Sequence, residues 1–223
     1  ASGTGVTGGA YVLFMGITNT VCQSVILAPN WNGIPSMNFG ANFGLSVSGI
    51  GDVNNDGIPD IAFGAPNDVA TERGRVVIGL MKRDGTVATG VTLASGVNGI
   101  PVLPNGANFG FDVAGLGDID GDGIPDLAVS SPLIDASSTD TGAVWIVNLN
   151  SDGSARRVVA LADNVNGMGM LPTASGYGFA VDSAGDVNQD GIIDLLVGVN
   201  REGSGAAVNR GDAHLLLKDS QTT

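Results

Sequence analysis

A ten-residue acidic pattern occurs three times along the chain, and this repetition constrains the fold more than any other feature. The copies read GDVNNDGIPD at 51–60, GDIDGDGIPD at 117–126 and GDVNQDGIID at 185–194. Their first aspartates are Asp52, Asp118 and Asp186, which lie 66 and 68 residues apart. A fixed period is typical of arrays in which each repeat is one supersecondary unit that packs on its neighbours. The sequence therefore predicts a repeat array.

Several landmarks keep the same register as the acidic pattern. An aromatic residue and a glycine stand nine residues before each first aspartate, and a short turn-like tripeptide follows each copy. A further turn signal begins twenty residues before each first aspartate. The landmarks are Phe43-Gly44, Phe109-Gly110 and Tyr177-Gly178; GAP at 64–66, SSP at 130–132 and GVN at 198–200; and NGIP at 32 and 98 with NGMG at 166.

The segments between the landmarks have the pattern of short β-strands. DIAFGA, DLAVSS and DLLVGV follow the acidic copies, and GRVVIGLM, GAVWIVNL and GDAHLLLK are apolar or alternating runs opened by glycine. TGVTLA and RRVVALA supply a further strand per repeat, while GGAYVLFM and VCQSVILA are N-terminal counterparts. Glycines interrupt every candidate helix. We therefore predict an all-β chain with about four short antiparallel strands per repeat, which is the content of one propeller blade.

Charge and hydropathy exclude several classes of partner. The formal charge is −13 with only nine Lys and Arg, which argues against binding to nucleic acid or to an anionic membrane surface. No run approaches eighteen apolar residues, so no membrane insertion is expected, and the N-terminus lacks the pattern of an intact signal peptide. The source of an export signal stays open, because a cleaved leader is compatible with this sequence.

Each acidic copy has the ligand pattern of a calcium loop. Counted from the first aspartate, side-chain oxygens fall at positions one, three, five and nine, glycine at six permits a sharp turn, and a backbone carbonyl falls at seven. Hard oxygen ligands in this number suit Ca²⁺. The predicted ligands of three Ca²⁺ ions are Asp52, Asn54, Asp56, the Ile58 carbonyl and Asp60; Asp118, Asp120, Asp122, the Ile124 carbonyl and Asp126; and Asp186, Asn188, Asp190, the Ile192 carbonyl and Asp194.

Magnesium, zinc and an EF-hand each fit the acidic pattern less well. Mg²⁺ demands octahedral geometry and keeps its waters, and Zn²⁺ prefers the Cys and His ligands that are missing nearby. An EF-hand requires Glu at position twelve, where the chain has Phe63, Val129 and Val197. Clusters of Asp, Asn and Gly often form ordinary turns, but three copies with the same spacing favour a cation site. Catalysis by these carboxylates is not expected, since calcium holds them ionised and occupies their lone pairs.

These motifs resemble the FG-GAP repeat of integrin α-subunit propellers and of many bacterial surface proteins. The similarity rests on Phe43-Gly44, DVNNDGIPD and GAP at 64–66, with the same arrangement from Phe109 and from Tyr177, although the third copy has lost the GAP wording. The resemblance implies a β-propeller of four-stranded antiparallel blades, calcium held in a hairpin loop between two strands, and extracellular recognition more often than catalysis.

The repeat count raises the question of how the array ends. We divide the single domain 1–223 into a partial blade at 1–30 and repeats at 31–97, 98–165 and 166–223. Three blades are too few to close a ring, and open ends expose strand edges or apolar faces. Three solutions remain: a longer chain, a homodimer that completes a propeller ring, or an open array with protected ends.

Five further residues or motifs are considered for ligand contact or catalysis, and most of them fit a structural role better. Arg210-Gly211-Asp212 spells an integrin-recognition tripeptide, but Gly211 matches the glycine that opens the same strand in the other repeats. His214 has no nucleophile partner at a suggestive spacing, and Cys22 is expected to be buried in a strand. Trp145 is expected to pack between sheets, whereas Trp31 is the better candidate for ligand contact.

The sequence thus predicts a calcium-binding, non-enzymatic module of adhesion or recognition, or a structural part of a surface protein, that is secreted or displayed outside the cell. The ligand, protein or carbohydrate, stays unidentified. We expect dissociation constants for calcium on the order of 10⁻⁴ to 10⁻³ M, so the calcium concentration of the cytosol would leave the sites empty. The alternative is a noncatalytic propeller module attached to a secreted enzyme, or a propeller that is itself a carbohydrate-binding domain.

Overall fold

The chain folds into thirteen strands in the part that the computed structural model describes, which is residues 8–67, 72–134, 141–172, 174–202 and 210–217, with the backbone alone at 201, 202 and 210. The strands are β1 Ala10–Met15, β2 Val21–Leu27, β3 Val47–Gly51, β4 Asp60–Ala65, β5 Arg75–Met81, β6 Val87–Ala94, β7 Val113–Gly117, β8 Asp126–Ser131, β9 Ala143–Leu149, β10 Ala155–Ala162, β11 Tyr177–Gly185, β12 Asp194–Glu202 and β13 Arg210–Leu216. No described segment forms a helix of the length and apolarity that a membrane crossing requires.

The strands form four antiparallel sheets in which every strand pairs with its neighbour in sequence. The N-terminal hairpin is β1–β2, the first blade is β3–β6, the second blade is β7–β10, and the third blade has the order β11–β12–β13. No sheet closes on itself among the described strands. The prediction of an all-β array of propeller-type blades is therefore confirmed. The predicted strand GDAHLLLK extends to Lys218, which lies outside the described residues.

Alternation along the strands lets each blade pack on both of its neighbours. On β5, Val76, Ile78 and Leu80 join the core shared with the second blade, whereas Val77 and Met81 join the core shared with the N-terminal hairpin. Successive side chains on a strand point to opposite faces of the sheet. A strand between two blades must therefore be apolar on both faces, which is why RVVIGLM reads as a continuous apolar run.

The sequence landmarks lie where one blade meets the next. Phe43, Phe109 and Tyr177 are fully buried, and each forms an isolated bridge to the glycine that opens a strand of the preceding unit, Gly8, Gly74 or Gly142. A Cβ on Gly74 would lie 2.2 Å from the Phe109 carbonyl oxygen, so a larger residue cannot be accommodated there. The aromatic-glycine motif and the strand-opening glycine are thus two halves of one interblade contact.

The first strands of successive blades also touch one another, and Asp112 connects three blades. Its Oδ1 accepts a hydrogen bond from the Ser46 hydroxyl of the first blade at 2.6 Å, and its Oδ2 accepts one from the Val181 backbone N–H of the third blade at 2.8 Å. Strand β7, which follows Asp112, contacts both β3 and β11. The geometry of neighbouring blades is therefore fixed by hydrogen bonds as well as by packing.

Both ends of the described array present apolar side chains to solvent. On the third blade these side chains are between 41 and 54% exposed, while their repeat counterparts in the first blade are at most 7% exposed. On the N-terminal hairpin three large side chains of β1 are at least 50% exposed. The residues are Val187, Leu196, Leu215 and Leu217 at one end, with counterparts Val53, Ala62, Ile78 and Leu80, and Tyr11, Leu13 and Met15 at the other.

Candidate metal-binding loops

Each acidic loop joins the first strand of a blade to the second, so the three loops occupy equivalent places. The first loop (52–60) connects β3 to β4, the second (118–126) connects β7 to β8, and the third (186–194) connects β11 to β12. Glycine at position six has φ of 82° at Gly57, 86° at Gly123 and 88° at Gly191. This left-handed conformation supports the sequence argument that glycine permits the turn.

The first aspartate of each loop is held by backbone N–H groups of the same loop. In the first loop, Asp52 Oδ1 accepts from the Asp56 N–H at 3.1 Å and Asp52 Oδ2 from the Gly57 N–H at 2.7 Å. Asp118 and Asp186 make the equivalent bonds to Asp122 with Gly123 and to Asp190 with Gly191. These bonds curl the backbone around the carboxylate, and Asp118 Oδ1 accepts a further bond from the Gly121 N–H at 2.7 Å.

The ninth position is a buried carboxylate that ties the loop to the third strand of the blade. Asp60 is fully buried, and it accepts from the Val53 N–H at 2.9 Å and from the Met81 N–H at 2.8 Å. Asp126 accepts from the Ile119 and Leu149 N–H groups and from the Asn148 side-chain amide at 2.9 Å. The sequence pattern identified the aspartates but not the donors on the third strand.

Burial changes the acid–base behaviour of these two carboxyls. Desolvation raises the pKa of Asp60 above its ordinary value, against the opposing effect of the Met81 and Val53 N–H groups. Desolvation likewise raises the pKa of Asp126, although Asn148, Leu149 and Ile119 donate to it. A positive charge beside either group favours its ionised form, because opposite charges stabilise each other at short range.

The second loop brings three carboxylates together. One oxygen each of Asp118, Asp120 and Asp126 lies within 4.8 Å of the other two. At Asp118, partial desolvation opposes ionisation, but the backbone N–H groups of the loop outweigh it and lower the pKa. The Arg156 guanidinium, from the start of β10, forms an ion pair with Asp120 and another with Asp122 at 2.8 Å.

The first and third loops differ at position three, where an asparagine replaces the aspartate. The Asn54 amide donates to Asp56 Oδ2 at 3.0 Å, and the Asn188 amide donates to Asp190 Oδ2 at 3.3 Å. Among the described residues, these two loops do not bring three carboxylates to the spacing seen in the second. The ligand roles of the fifteen loop residues, including the carbonyls of Ile58, Ile124 and Ile192, remain predictions.

The donor set of the second loop fits a large hard cation. Ca²⁺ binds oxygen at about 2.3–2.6 Å, so two ligands on opposite sides of one ion stand about 4.6–5.2 Å apart. One oxygen each of the three carboxylates lies within 4.8 Å of the others, which is close enough for all three to bind one Ca²⁺ ion. Carboxylate oxygens without Cys or His ligands match calcium chemistry and not that of zinc.

The other residues that the sequence singled out have packing or strand-pairing roles, and the expectation for one of them is wrong. His214 stacks edge-to-face on Tyr177 at 5.8 Å, and Trp145 packs against the core and donates to the Ser131 hydroxyl at 2.9 Å. Arg210-Gly211-Asp212 lies in the paired strand β13. The expectation that Cys22 is buried is wrong: it is exposed, because no described sheet packs on the face of β2 that carries it.

A groove of about 760 Å³ lies between the second and third blades. In the earlier repeats the corresponding glycines approach a fourth strand closely: a Cβ on Gly33 would lie 2.1 Å from the Val87 carbonyl oxygen, and one on Gly99 would lie 2.0 Å from that of Ala155. Gly167, which lines the groove, has no such neighbour within 4 Å among the residues that the structure describes. The groove is lined by side chains of both blades and of the segment before β11.

Comparison with known proteins connects this architecture to one family. The FG-GAP repeat family matches residues 43–78 and 109–147. Integrin alpha-8 of Mus musculus is 32% identical over 193 residues, which cover 78% of this chain and 16% of that protein. Integrin alpha-IIb of Homo sapiens is 32% identical over 190 residues (80% and 17%), and integrin alpha-2 of Bos taurus is 31% identical over 195 residues (81% and 15%). The chain spans about a sixth of the length of these relatives.

Proposed function

The chain carries FG-GAP repeats and is similar to part of the integrin α-subunits, and from this premise we propose that it is a calcium-binding, non-catalytic module for adhesion or recognition outside the cell. The ions are structural in this proposal. Each ion offsets two of the negative charges of an acidic loop and fixes the turn between the first two strands of a blade. The recognition surface is then held in place by the rigid blades.

The observation that carries the proposal is the convergence of three carboxylate oxygens in the second loop to within 4.8 Å of one another, which is close enough for one Ca²⁺ ion to bind all three. The shared hydrogen-bond pattern around Asp52, Asp118 and Asp186 extends the proposal to all three loops. Burial of the position-nine carboxylates adds to it, because a buried carboxylate is ionised at low cost only beside a positive charge. The named loop residues supply the oxygens, and the ion supplies the compensating charge.

The location outside the cell follows from affinity. Loops with partly exposed ligands and two asparagines at position three are expected to bind calcium on the order of 10⁻⁴ to 10⁻³ M. Calcium at that concentration is present outside cells and not in the cytosol. The similarity to integrin α-subunits supports the same location.

Thermal unfolding with calcium and with chelator tests the proposal. At about 10 mM Ca²⁺ each site contributes about 1.4–2.7 kcal/mol, because binding to the folded state alone stabilises it by mass action. Three sites contribute about 4–8 kcal/mol, which corresponds to a rise in Tm of about 8 °C or more for a chain of this size. Coincident melting curves in calcium and in chelator would refute the proposal.

Matched variants assign the stabilisation to the loops. Asp52→Asn, Asp118→Asn and Asp186→Asn are each expected to remove about a third of the calcium-dependent rise, since each removes one charged ligand. Asp84→Asn is the control: Asp84 lies in the β5–β6 turn and bonds only to Thr86 among the described residues. An equal loss in the control variant would show that calcium acts through general charge screening and not through the loops.

A second candidate is a noncatalytic carbohydrate-binding module attached to a secreted enzyme. It is favoured by two exposed aromatic rings in the segment before β3, Trp31 at 62% and Phe39 at 76% exposure. Exposed aromatic side chains are frequent anchors of ligands. Tryptophan fluorescence is measured while glycans are titrated into the wild type and into Trp31→Phe. If the glycans change the fluorescence of the wild type no more than that of Trp31→Phe, this candidate is excluded.

We also propose that the exposed end faces of the array meet in a second copy of the chain. The exposed apolar side chains of the third blade occupy positions that, in the first blade, are covered by the second blade. The exposed side chains of β1 occupy positions that, on β5 of the first blade, face the N-terminal hairpin. An end-to-end contact between two copies therefore repeats the packing found inside each chain. Two such contacts related by a twofold axis close a ring.

A further inference from the structure

One arginine distinguishes the second acidic loop from the other two. Arg156 stands at the start of β10, and its Nη2 contacts Asp120 Oδ2 and lies 2.8 Å from Asp122 Oδ2. Its side chain is 42% exposed, while the two carboxylates are 23% and 28% exposed. The partly exposed guanidinium therefore bridges positions three and five of the loop.

In the other two loops, a side-chain amide contacts the carboxylate at position five. In them the position-three asparagine donates to Oδ2 of the position-five aspartate, at Asp56 and at Asp190. Asp120 is a carboxylate and has no N–H to donate, so it cannot make this bond. Arg156 donates to Asp120 Oδ2 and, from a different strand, forms an ion pair with the corresponding oxygen, Asp122 Oδ2.

The formal charges of the three loops become equal only when Arg156 is included. The first and third loops carry three aspartates each, and the second carries four. Arg156 reduces the second loop from −4 to −3, the value of the other loops. The matching position in the first blade is Ala88, counted from the aligned turns Asp84-Gly85 and Asp152-Gly153, and its side chain is exposed. The additional acid and the additional base thus occur in the same repeat.

We propose that Arg156 is an internal counter-cation of the second loop: it positions Asp120 and Asp122 in place of the asparagine amide, and it lowers the affinity of this loop for a divalent cation. The positioning role stands on the ion pairs alone. The effect on affinity rests on the proposed function, and it follows because the guanidinium shares the carboxylates with the ion and repels a second positive charge nearby.

A mutant cycle in chelator tests the positioning role without any metal. Arg156→Gln is expected to lower Tm by about 2–4 °C, because the two carboxylates lose the positive charge that they share and repel each other. In the Asp120→Asn background the same change is expected to have almost no effect, since the new asparagine supplies the amide. Arg157→Gln is the control, because it removes the same charge from the neighbouring position on β10. Equal losses from Arg156→Gln in both backgrounds, or equal losses from both arginine variants, would overturn the proposal.

Introducing the same aspartate–arginine pair into the first loop gives an independent test. Asn54→Asp recreates the four-aspartate loop and is expected to lower Tm in chelator by a similar amount. Ala88→Arg is expected to restore Tm in the Asn54→Asp background and to leave the wild-type background unchanged. A failure of Ala88→Arg to act differently in the two backgrounds would contradict the role assigned to Arg156.

Calorimetric titration with Ca²⁺ tests the effect on affinity. Arg156→Gln is expected to tighten one of the sites by about 3- to 10-fold and to leave the others unchanged, a magnitude set by one charge a few ångströms from a divalent ion in screened solution. Unchanged or weaker binding at every site would overturn this part. A protein that binds no calcium fails the proposed function, while the cycle in chelator still decides whether Arg156 positions the loop.

Discussion

Replacement of Asp112 by alanine is expected to weaken two blade interfaces at once. The carboxylate accepts from the Ser46 hydroxyl at 2.6 Å and from the Val181 N–H at 2.8 Å, and these donors belong to different blades. Neither donor regains a protein partner when the side chain ends at Cβ. In a repeat protein the interface terms contribute directly to the stability of the whole array.

The magnitude follows from the two lost bonds. A hydrogen bond to a charged acceptor contributes about 1.5–3 kcal/mol, and partial exposure of Asp112 reduces this toward the lower value. Asp112→Ala is therefore expected to cost about 2–4 kcal/mol, or about 4–16 °C in Tm. Asp112→Asn is expected to cost no more than about 1 kcal/mol, because its amide oxygen can accept from Val181 and its amide NH₂ can donate to the Ser46 oxygen.

Urea unfolding followed by circular dichroism measures these losses, with linear extrapolation to water. Asp182→Ala is the control: this carboxylate is exposed and bonds to the adjacent Ser183 N–H, so its removal is expected to change stability by less than about 0.5 kcal/mol. The Ser46→Ala and Asp112→Ala double-mutant cycle should give a coupling of about 0.5–3 kcal/mol. If Asp112→Ala unfolds at the same urea concentration as Asp182→Ala, the reasoning on the interblade bonds is wrong.

Two further predictions concern close approach between blades and assembly. Gly115→Ala is expected to destabilise the chain by about 1–3 kcal/mol in the same urea assay, because its Cβ would lie 2.6 Å from the Gly49 carbonyl oxygen. Gly49→Ala is the control: its Cβ would meet no described atom within 4 Å, so this change should be neutral or slightly stabilising. Equal effects of the two substitutions would contradict the packing. The assembly proposal predicts a concentration-dependent solution mass above that of one chain by light scattering, which Leu215→Asp should lower; a single-chain mass at all concentrations would exclude the second copy.

The strand content was predictable wherever a strand is apolar on at least one face. DIAFGA, DLAVSS and DLLVGV are β4, β8 and the start of β12, and TGVTLA and RRVVALA lie within β6 and β10. The first strands of the blades had no such signal. VSGIG and VAGLG are five residues long and interrupted by glycine, which weakens a strand pattern by itself. These short strands are defined by contacts with the neighbouring blades.

The candidate loops were predictable in position but not in their surroundings. Regular spacing of Asp, Asn and Gly located all three, because the turn is local and its own backbone N–H groups satisfy the first aspartate. Besides an N–H of its own loop, the ninth aspartate accepts from the Met81 N–H of β5 or the Leu149 N–H of β9, more than twenty residues away. Arg156 was not identified as part of the second loop, because the arginine has no counterpart in the first repeat to mark it.

By itself the sequence determined the repeat, the all-β blades and the acidic turns, because each of these depends on residues within one repeat and on spacings that recur. Only the tertiary structure decided which glycines allow two backbones to approach, that Asp112 joins three blades, that Arg156 reaches Asp120 and Asp122, and that Cys22 is exposed. Those contacts join positions far apart in the chain, and their distances depend on how whole sheets stack, which no local pattern encodes.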